Sequence, residues 1–327
     1  MKPNIAVIIG GDSSEIVIAE KSGKNILDAI DTQKFTPWVV HIEGRKWRVL
    51  KGGEEVAVIN KADFSFLLDK VKINLDYAYI TIHGTPGEDG VLQGYFEMLK
   101  IPYSTSDVHS SSLTFNKWFC NQYLRNFGVR VAKSIKLNEG EAILPDKIIK
   151  ELGIPLFVKP NKGGSSFGIS KVKDKAGLEA AIKMAWVESN EALLEEFIEG
   201  KEITCGLVKL KGRKIVFPLT EIVPNKEFFN YEAKYTPGVA SEITPARLPE
   251  ELAEECRELS SRISDHCNCS GIVRMDYILK DNKFYFLEVN TTPGMTETSL
   301  VPQQIRAMGT TLKEVLTLII EEGLQTN

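Results

Sequence analysis

Between Arg274 and Ser299 the chain reads RMDYILKDNKFYFLEVNTTPGMTETS, a stretch dense in groups able to do chemistry. Asp276, Glu288 and Asn290 fall on what the pattern predicts to be a strand pair, with Arg274 beside them. A Pro-Gly loop carrying Thr291, Thr292, Thr296 and Thr298 follows. Two carboxylates and a carboxamide are hard oxygen ligands, the set magnesium takes when it is shared between protein groups and substrate phosphates. The neighbouring guanidinium suits chemistry in which negative charge develops.

Strand geometry makes this testable. Glu288 and Asn290 are two apart and share a sheet face, as do Arg274 and Asp276. A two-residue Asp281-Asn282 turn pairs Asp276 with Leu287 and sends Glu288 to the opposite face. A three-residue loop, Asp281 to Lys283, pairs Asp276 with Glu288 directly. A metal site therefore requires the odd-length loop or a β-bulge. Otherwise these side chains are solvated polar positions on a hairpin.

Three further groups invite a reading. The loop Gly163-Gly164-Ser165-Ser166-Phe167-Gly168 can wrap phosphates, because glycines let backbone N–H groups approach and serines add donors. It is no Walker A loop, and alone such a loop is more often a flexible turn; Lys159 on the preceding strand improves the case for phosphate. His83 in HGTPGEDG is either a site residue or a loop histidine, with Glu88 and Asp89 suited to capping the next helix. His266, Cys267 and Cys269 lack the paired spacing of a zinc site and are expected to pack.

The elements that must hold these groups alternate. Ile5–Ile9 reads as a strand closed by Gly10-Gly11, followed by a helix from about Glu15 to Ala29. Pro37–His41, Leu75–Ile82 and the short Ile101–Tyr103 read as strands, Val91–Leu99 as a helix, and Gly44 to Gly53 suits a hairpin. Such alternation predicts an α/β fold with an open, largely parallel sheet. Ligands of such sheets sit beyond the carboxyl ends of the strands, where Gly10–Glu15 and His83–Gly90 fall. A second unit begins near Thr105, with a helix over Leu113–Phe127, strands at Pro155–Pro160 and Ala192–Glu196, and a helix over Lys175–Glu188. Beyond Gly200, Ile203–Leu210 and Lys214–Thr220 read as an antiparallel pair, and Pro249–His266 and Leu312–Glu322 as helices.

Composition bounds the rest. A chain of 327 residues, 43% hydrophobic and 26% charged, is an ordinary globular protein of two or three domains. A net charge of −4 gives no basic excess for nucleic acid, so local lysines and arginines must hold any anionic substrate. The opening MKPNIAVIIGG lacks the features of a secretory signal, and no run is long enough to span a membrane. Five scattered cysteines make no disulfide framework. The expectation is a cytoplasmic protein that engages neither nucleic acid nor membrane.

Taken in order, GGDSSE, HGTPGEDGVLQG, the lysine of TFNKW, VKPNKGGSSFGIS, LLEEFIEGKEIT, YEAKY, GIVRMDYIL and FLEVNTTPGMTETSLVP resemble the ATP-grasp superfamily. Within it the chain resembles the D-alanine–D-alanine ligase family over nearly its whole length. The resemblance implies an α/β, three-domain ATP-grasp architecture with an N-terminal Rossmann-like open sheet. Residues 1–104 would form the substrate domain, 105–195 the central ATP-grasp domain with its mobile Gly/Ser loop, and 196–327 the C-terminal domain with the metal and oxyanion site. ATP would be gripped between the last two.

Residue roles follow from the same resemblance. Lys117, Lys159, Ser165 and Ser166 would meet the ATP phosphates, Glu195 and Ile198 the adenine, Glu202 the ribose, and Lys234 the transferred phosphate. Asp276, Glu288 and Asn290 match ligands of two magnesium ions, for which manganese can stand in. Glu15 and His83 would hold the first D-alanine, while Ser299 and Leu300 would receive the carboxylate of the second. Arg274 and the Gly294 amide would form an oxyanion hole, and Ser165, Glu15 and Tyr235 a triad closing the loop. The implied reaction makes an acyl phosphate from ATP and D-alanine, then D-alanyl-D-alanine, ADP and phosphate, for peptidoglycan synthesis by a homodimer.

The chain departs from the family where Ile16-Val17-Ile18-Ala19 follows Glu15, leaving Ala19 in place of an expected hydroxyl near the first-substrate pocket. The segment Arg45 to Lys72 matches nothing assignable. Tyr235 is the residue of dipeptide-forming ligases. Two alternatives stay open: an ATP-grasp ligase joining a different carboxylate and amine, and a non-catalytic nucleotide-binding protein of the same fold. The intact set of Lys117, Lys159, Arg274, Asp276, Glu288 and Asn290 argues against the second.

Overall fold

The computed structural model describes residues 2–164, 167–224 and 240–325. Its first sheet is built on β1 (Asn4–Gly10), flanked in parallel by β2 (Thr36–Glu43) and by β7 (Tyr77–Ile80). Two antiparallel strands, β3 (Lys46–Lys51) and β4 (Glu54–Val58), extend the β2 edge. A small hairpin, β5 (Ser65–Leu68) with β6 (Val71–Asn74), lies beside them. The sheet is thus parallel over β2, β1 and β7, and the unassigned Arg45–Lys72 stretch supplies the antiparallel extension on the β2 side. The expected strand at Ile101–Tyr103 is reduced to a single bridge between Ala78 and Tyr103. Helices α1 (Ile16–Ala29) and α2 (Val91–Leu99) lie close to their predicted bounds.

Successive side chains of a strand point to opposite faces. Ile5, Val7, Tyr77 and Tyr79 accordingly face one core, and Ala6, Ile8, Ala78 and Ile80 another. Both faces are buried, so these strands read as continuous apolar runs. At the carboxyl end of β1 the backbone of Gly10 has φ +97°, and a β-carbon there would lie 2.2 Å from the Ile42 carbonyl oxygen. Gly10→Ala therefore combines backbone strain of about 1–3 kcal/mol with a clash. A fall in the denaturation midpoint is expected; an unchanged midpoint would contradict this geometry.

The helix expected over Leu113–Phe127 is two helices, α3 (Val108–Phe115) and α4 (Lys117–Arg125), broken at Asn116. Asn116 has extended backbone and caps the second, its Oδ1 accepting from the Phe119 N–H at 3.0 Å. The second sheet is antiparallel, in the order β10 (Ser170–Val172), β9 (Leu156–Pro160), β11 (Glu191–Glu196), β8 (Ser134–Asn138). Helices α5 (Pro145–Leu152) and α6 (Leu178–Glu188) share its core through Ile148, Leu152 and Ile182.

The third sheet runs β15 (Ala240–Ile243), β14 (Thr220–Pro224), β12 (Lys201–Leu210), β16 (Gly271–Lys280), β17 (Lys283–Asn290), with β13 (Arg213–Val216) also on β12. Helix α7 (Glu250–His266) packs on it through Ala253, Cys256 and Ile263. Cys267 and Cys269 are buried in the same core and His266 stacks on Phe127 at 3.9 Å, the packing role expected of them. The chain ends in α8 (Leu300–Ala307) and α9 (Leu312–Gln325). Val315, Leu316, Ile319 and Ile320 of α9 return to the first sheet and join Ile5, Val7, Tyr77 and Tyr79 in one core.

Candidate active site

The β16–β17 hairpin decides the metal question. Its turn holds two residues, Asp281 and Asn282, both left-handed at φ 48° and 55°, with Lys280 paired to Lys283. Continued regularly, that register would place Leu287 opposite Asp276. Instead the register shifts between Asp276 and Tyr277, so Tyr277 pairs with Phe286 and Asp276 with Glu288. Leu287 is the extra residue of a β-bulge, which puts two residues of one strand against one of the other. The bulge alternative of the sequence reading is the one realised.

Asp276 is firmly held. Arg274 donates from Nε to Oδ1 at 2.9 Å and from Nη2 to Oδ2 at 2.8 Å, a bidentate fork. Thr204 of β12 donates to Oδ1 at 2.6 Å, and Asn290 Nδ2 to Oδ2 at 3.2 Å. The break at Asn116 sets Lys117 at the start of α4, where the helix dipole adds positive potential. Asn161 latches this corner, donating to Asn116 Oδ1 at 2.9 Å and accepting from the Trp118 N–H at 2.7 Å. The Lys117 ammonium donates to the Gly163 carbonyl at 2.6 Å and lies 3.4 Å from the Glu288 carboxylate. Lys159 lies 2.6 Å from Glu195, and both side chains are under a tenth exposed.

Two cavities open on these groups. One, of about 510 Å³, lies between the second and third sheets and is lined by Phe157, Lys159, Glu195, Phe197, Ile198 and Leu287. The other, more polar, is lined by Glu15, His83, Arg274, Asn290, Gly294 and Ser299. Lys117, Gly164, Glu202, Asp276 and Glu288 line both, so the cavities meet at the paired carboxylates.

The amino-terminal loops reach this junction as expected. Ser13 Oγ donates to the His83 carbonyl at 2.8 Å, and the Asp12 N–H to the Thr85 carbonyl at 3.1 Å, tying the loop after β1 to the loop after β7. His83 is buried; desolvation pulls its pKa below the usual value against the opposing pull of Glu15. Its Nε2 has no hydrogen-bond partner among the described residues, although it sits in a residue lining the polar cavity. Gly164 passes so near Glu15 that a β-carbon would lie 2.7 Å from the carboxylate.

Glu88 is the residue the sequence reading missed. It does not cap α2; its Oε2 accepts from the Gly84 N–H at 3.0 Å, while Asp89 accepts from the Val91 N–H at 3.1 Å. Buried in the wall of the polar cavity, Glu88 has its pKa raised from 4.5 to about 7, first by desolvation and then by the nearby Glu15 charge. A folded form that holds its proton more tightly loses stability as pH rises from about 4.5 to about 7. Glu88→Gln keeps an acceptor for Gly84 and removes that loss, worth about 2–4 kcal/mol above pH 7. Denaturation midpoints at pH 5 and pH 8 test this: the variant should gain on the parent only at pH 8. Equal midpoints at both pH values would refute the shift.

The Pro-Gly loop is pinned to α1. The Met295 N–H donates to Ser22 Oγ at 3.1 Å, and Asn25 Nδ2 to the Met295 carbonyl at 2.7 Å. A β-carbon on Gly294 would lie 3.1 Å from Ser299 Oγ, a tight contact. Ser299 and Leu300 begin α8, the helix end that suits a carboxylate. Gln304 fixes α8 to the third sheet through Gly206, Thr204 and Thr220. Of the residues singled out from sequence, Ser165, Ser166, Lys234 and Tyr235 lie outside the described residues. The other residues given a site role by the resemblance line one or both cavities.

A nucleotide-sized cleft between two antiparallel sheets, with lysines on its walls and strand-borne carboxylates at its inner end, is the arrangement of an ATP-grasp fold. The family model described as D-ala D-ala ligase N-terminus matches residues 4–106, and that described as D-ala D-ala ligase C-terminus matches 123–321. The chain is 50% identical over 322 residues to a D-alanine–D-alanine ligase of Phocaeicola vulgatus, covering 98% of this chain and 99% of that one. Among solved structures, the VanG D-Ala:D-Ser ligase from Enterococcus faecalis is similar at TM-score 0.86 and 31% identity, covering 99% of this chain and 100% of that chain. The D-alanine–D-alanine ligase from Bacillus anthracis complexed with ATP is similar at TM-score 0.79 and 33% identity, covering 100% and 98%. The chain belongs to the D-alanine–D-alanine ligase family.

Proposed function

We propose that the protein joins two D-alanine molecules into D-alanyl-D-alanine, consuming ATP and releasing ADP and phosphate, for peptidoglycan precursor synthesis. The observation that carries this reading is the pairing of Asp276 with Glu288 where the two cavities meet. ATP lies with adenine near Glu195 and Ile198, ribose at Glu202, and phosphates at Lys117 and Lys159. Ser165, Ser166 and Lys234 add to the phosphate contacts, and Tyr235 with Glu15 and Ser165 closes the loop, on the strength of the family resemblance.

The charge balance favours a divalent cation. Among the described residues, six carboxylates (Glu15, Glu88, Glu202, Glu242, Asp276, Glu288) line the polar cavity against two cations, Lys117 and Arg274. A polyphosphate entering such a field needs added positive charge. No group of three His, Cys, Asp or Glu among the described residues holds a metal alone. Asp276, Glu288 and Asn290 instead fit magnesium or manganese whose other ligands are phosphate oxygens and water. Bound there, the metal would neutralise the charge of phosphoryl transfer.

The protein's own groups do the rest. The carboxylate of the first D-alanine, held by Glu15 and His83, is aligned with the γ-phosphorus; an O–P bond forms as the bond to ADP breaks. This turns an oxide leaving group into phosphate. The amine of the second D-alanine, its carboxylate at Ser299 and Leu300, then attacks the acyl carbon. Arg274 and the Gly294 N–H stabilise the oxyanion, and phosphate departs, taking up the proton that the attacking nitrogen sheds. A closed loop keeps water from the acyl phosphate.

Three units accompany this reading, 1–104, 105–195 and 196–327, each containing most of one large sheet. A homodimer in the cytoplasm belongs to the same proposal; among the described residues no helix is long and apolar enough to cross a membrane. Phosphate release with ATP, magnesium and either D-alanine or L-alanine tests the function. Strong preference for D-alanine with D-alanyl-D-alanine as product is expected; equal rates would overturn it.

A further inference from the structure

We infer that Glu242 is a further specificity-determining residue for the second substrate, its carboxylate receiving the amino group of the incoming D-alanine. The inference rests on the ligase reading above. Glu242 lies on β15, opposite Ile222 of β14, and lines the polar cavity with Arg274, Ser299 and Leu300. Three other acids of that cavity have neighbours that explain them. Asp276 is held by Arg274, Glu288 sits beside Lys117, and Glu88 holds Gly84. Glu242 is held by a neutral amide: Gln303 of α8 donates from Nε2 to its Oε2.

That amide also measures the distance. The same Gln303 Nε2 donates to the Thr298 carbonyl at 2.7 Å, one residue before Ser299. The Glu242 carboxylate therefore stands one carboxamide's reach from the start of α8. The Ser299 N–H donates to the Thr296 carbonyl at 3.0 Å, which leaves the Leu300 amide at the start of α8; an α-amino acid whose carboxylate rests there presents its ammonium at that range. Burial raises the Glu242 pKa while Arg274 opposes the rise. Among the described residues the groups facing Glu242 are the neutral Gln303 amide and, at longer range, Arg274, so a cationic group on the substrate would find a carboxylate to pair with. The consequence is discrimination. D-Lactate matches D-alanine in shape but carries a hydroxyl and no cation, leaving the carboxylate unpaired.

The test uses the full-length enzyme, first shown to make D-alanyl-D-alanine from ATP and D-alanine. Glu242→Gln keeps the size and a hydrogen bond to Gln303 while removing the charge. Its KM for the second D-alanine should rise tenfold or more, with KM for ATP and for the first D-alanine within twofold of the parent. The ratio of kcat/KM for D-alanine to that for D-lactate as second substrate should fall at least fivefold. Glu242→Asp, which keeps the charge, should retain most of the ratio. An unchanged ratio in Glu242→Gln would overturn the inference and leave the ligase reading standing. So would a parallel rise in all three KM values with a lowered denaturation midpoint, the mark of a structural role. A parent protein that makes no dipeptide would overturn the ligase reading, and this inference with it.

Discussion

Arg274→Ala is expected to fold, to keep its KM for ATP within a few-fold, and to turn over about a hundred to a thousand times more slowly. Removal of one oxyanion donor typically has that cost. The fold survives because Asp276 keeps its bonds from Thr204 and Asn290 when the guanidinium is gone. Arg274→Lys should recover little, since an ammonium cannot reproduce the bidentate fork on Asp276. Steady-state phosphate release under saturating ATP and D-alanine measures it. A variant keeping more than a tenth of the parent rate would remove Arg274 from the oxyanion role.

The second large effect is on stability and nucleotide binding together. Lys159 and Glu195 form a pair at 2.6 Å with side chains 9% and 7% exposed, and Asn121 donates to Glu195 at 3.2 Å. Lys159→Met leaves the Glu195 charge buried without its partner, a loss of about 3 kcal/mol or more. Thermal denaturation without nucleotide should show it, and KM for ATP should rise tenfold or more. The double variant Lys159→Met with Glu195→Gln should regain most of the stability and none of the ATP affinity. If the double variant is no more stable than the single one, the pair is not what holds this corner.

The motifs alone named many of the residues that line the two cavities, because side chains two apart on a strand and loops after strands have fixed relations. The hairpin shows where that logic runs out. Asp281 and Asn282 make a good two-residue turn by every local rule. A reader trusting the turn would have sent Glu288 to the wrong face. The bulge at Leu287 corrects the register, and it leaves no local signature. Asn116 is the opposite case: an asparagine capping Lys117–Arg125 was legible as a helix start, yet the apolar pattern ran straight across it. Glu88 had a sequence rationale as a cap, and only burial by loops distant in sequence made it a cavity carboxylate. The strands of Arg45–Lys72 pair with neighbours on a sheet edge, a choice made by tertiary contact.

Helix α9 has a consequence for how the molecule is made. Ile5, Val7, Tyr77 and Tyr79 meet Val315, Leu316, Ile319 and Ile320 in one core. During synthesis the earliest strands emerge with only Ile26, Ile30 and Phe35 to cover that face, and the rest of its wall is encoded almost at the other end of the message. A nascent chain must therefore carry an open apolar surface until translation is nearly finished, so its first unit cannot mature in the N-terminal-first order usual for multidomain chains. Ribosome-bound chains arrested before residue 312 should be protease-sensitive in that first unit, and chains arrested beyond the end of α9, with enough tether to clear the exit tunnel, should not.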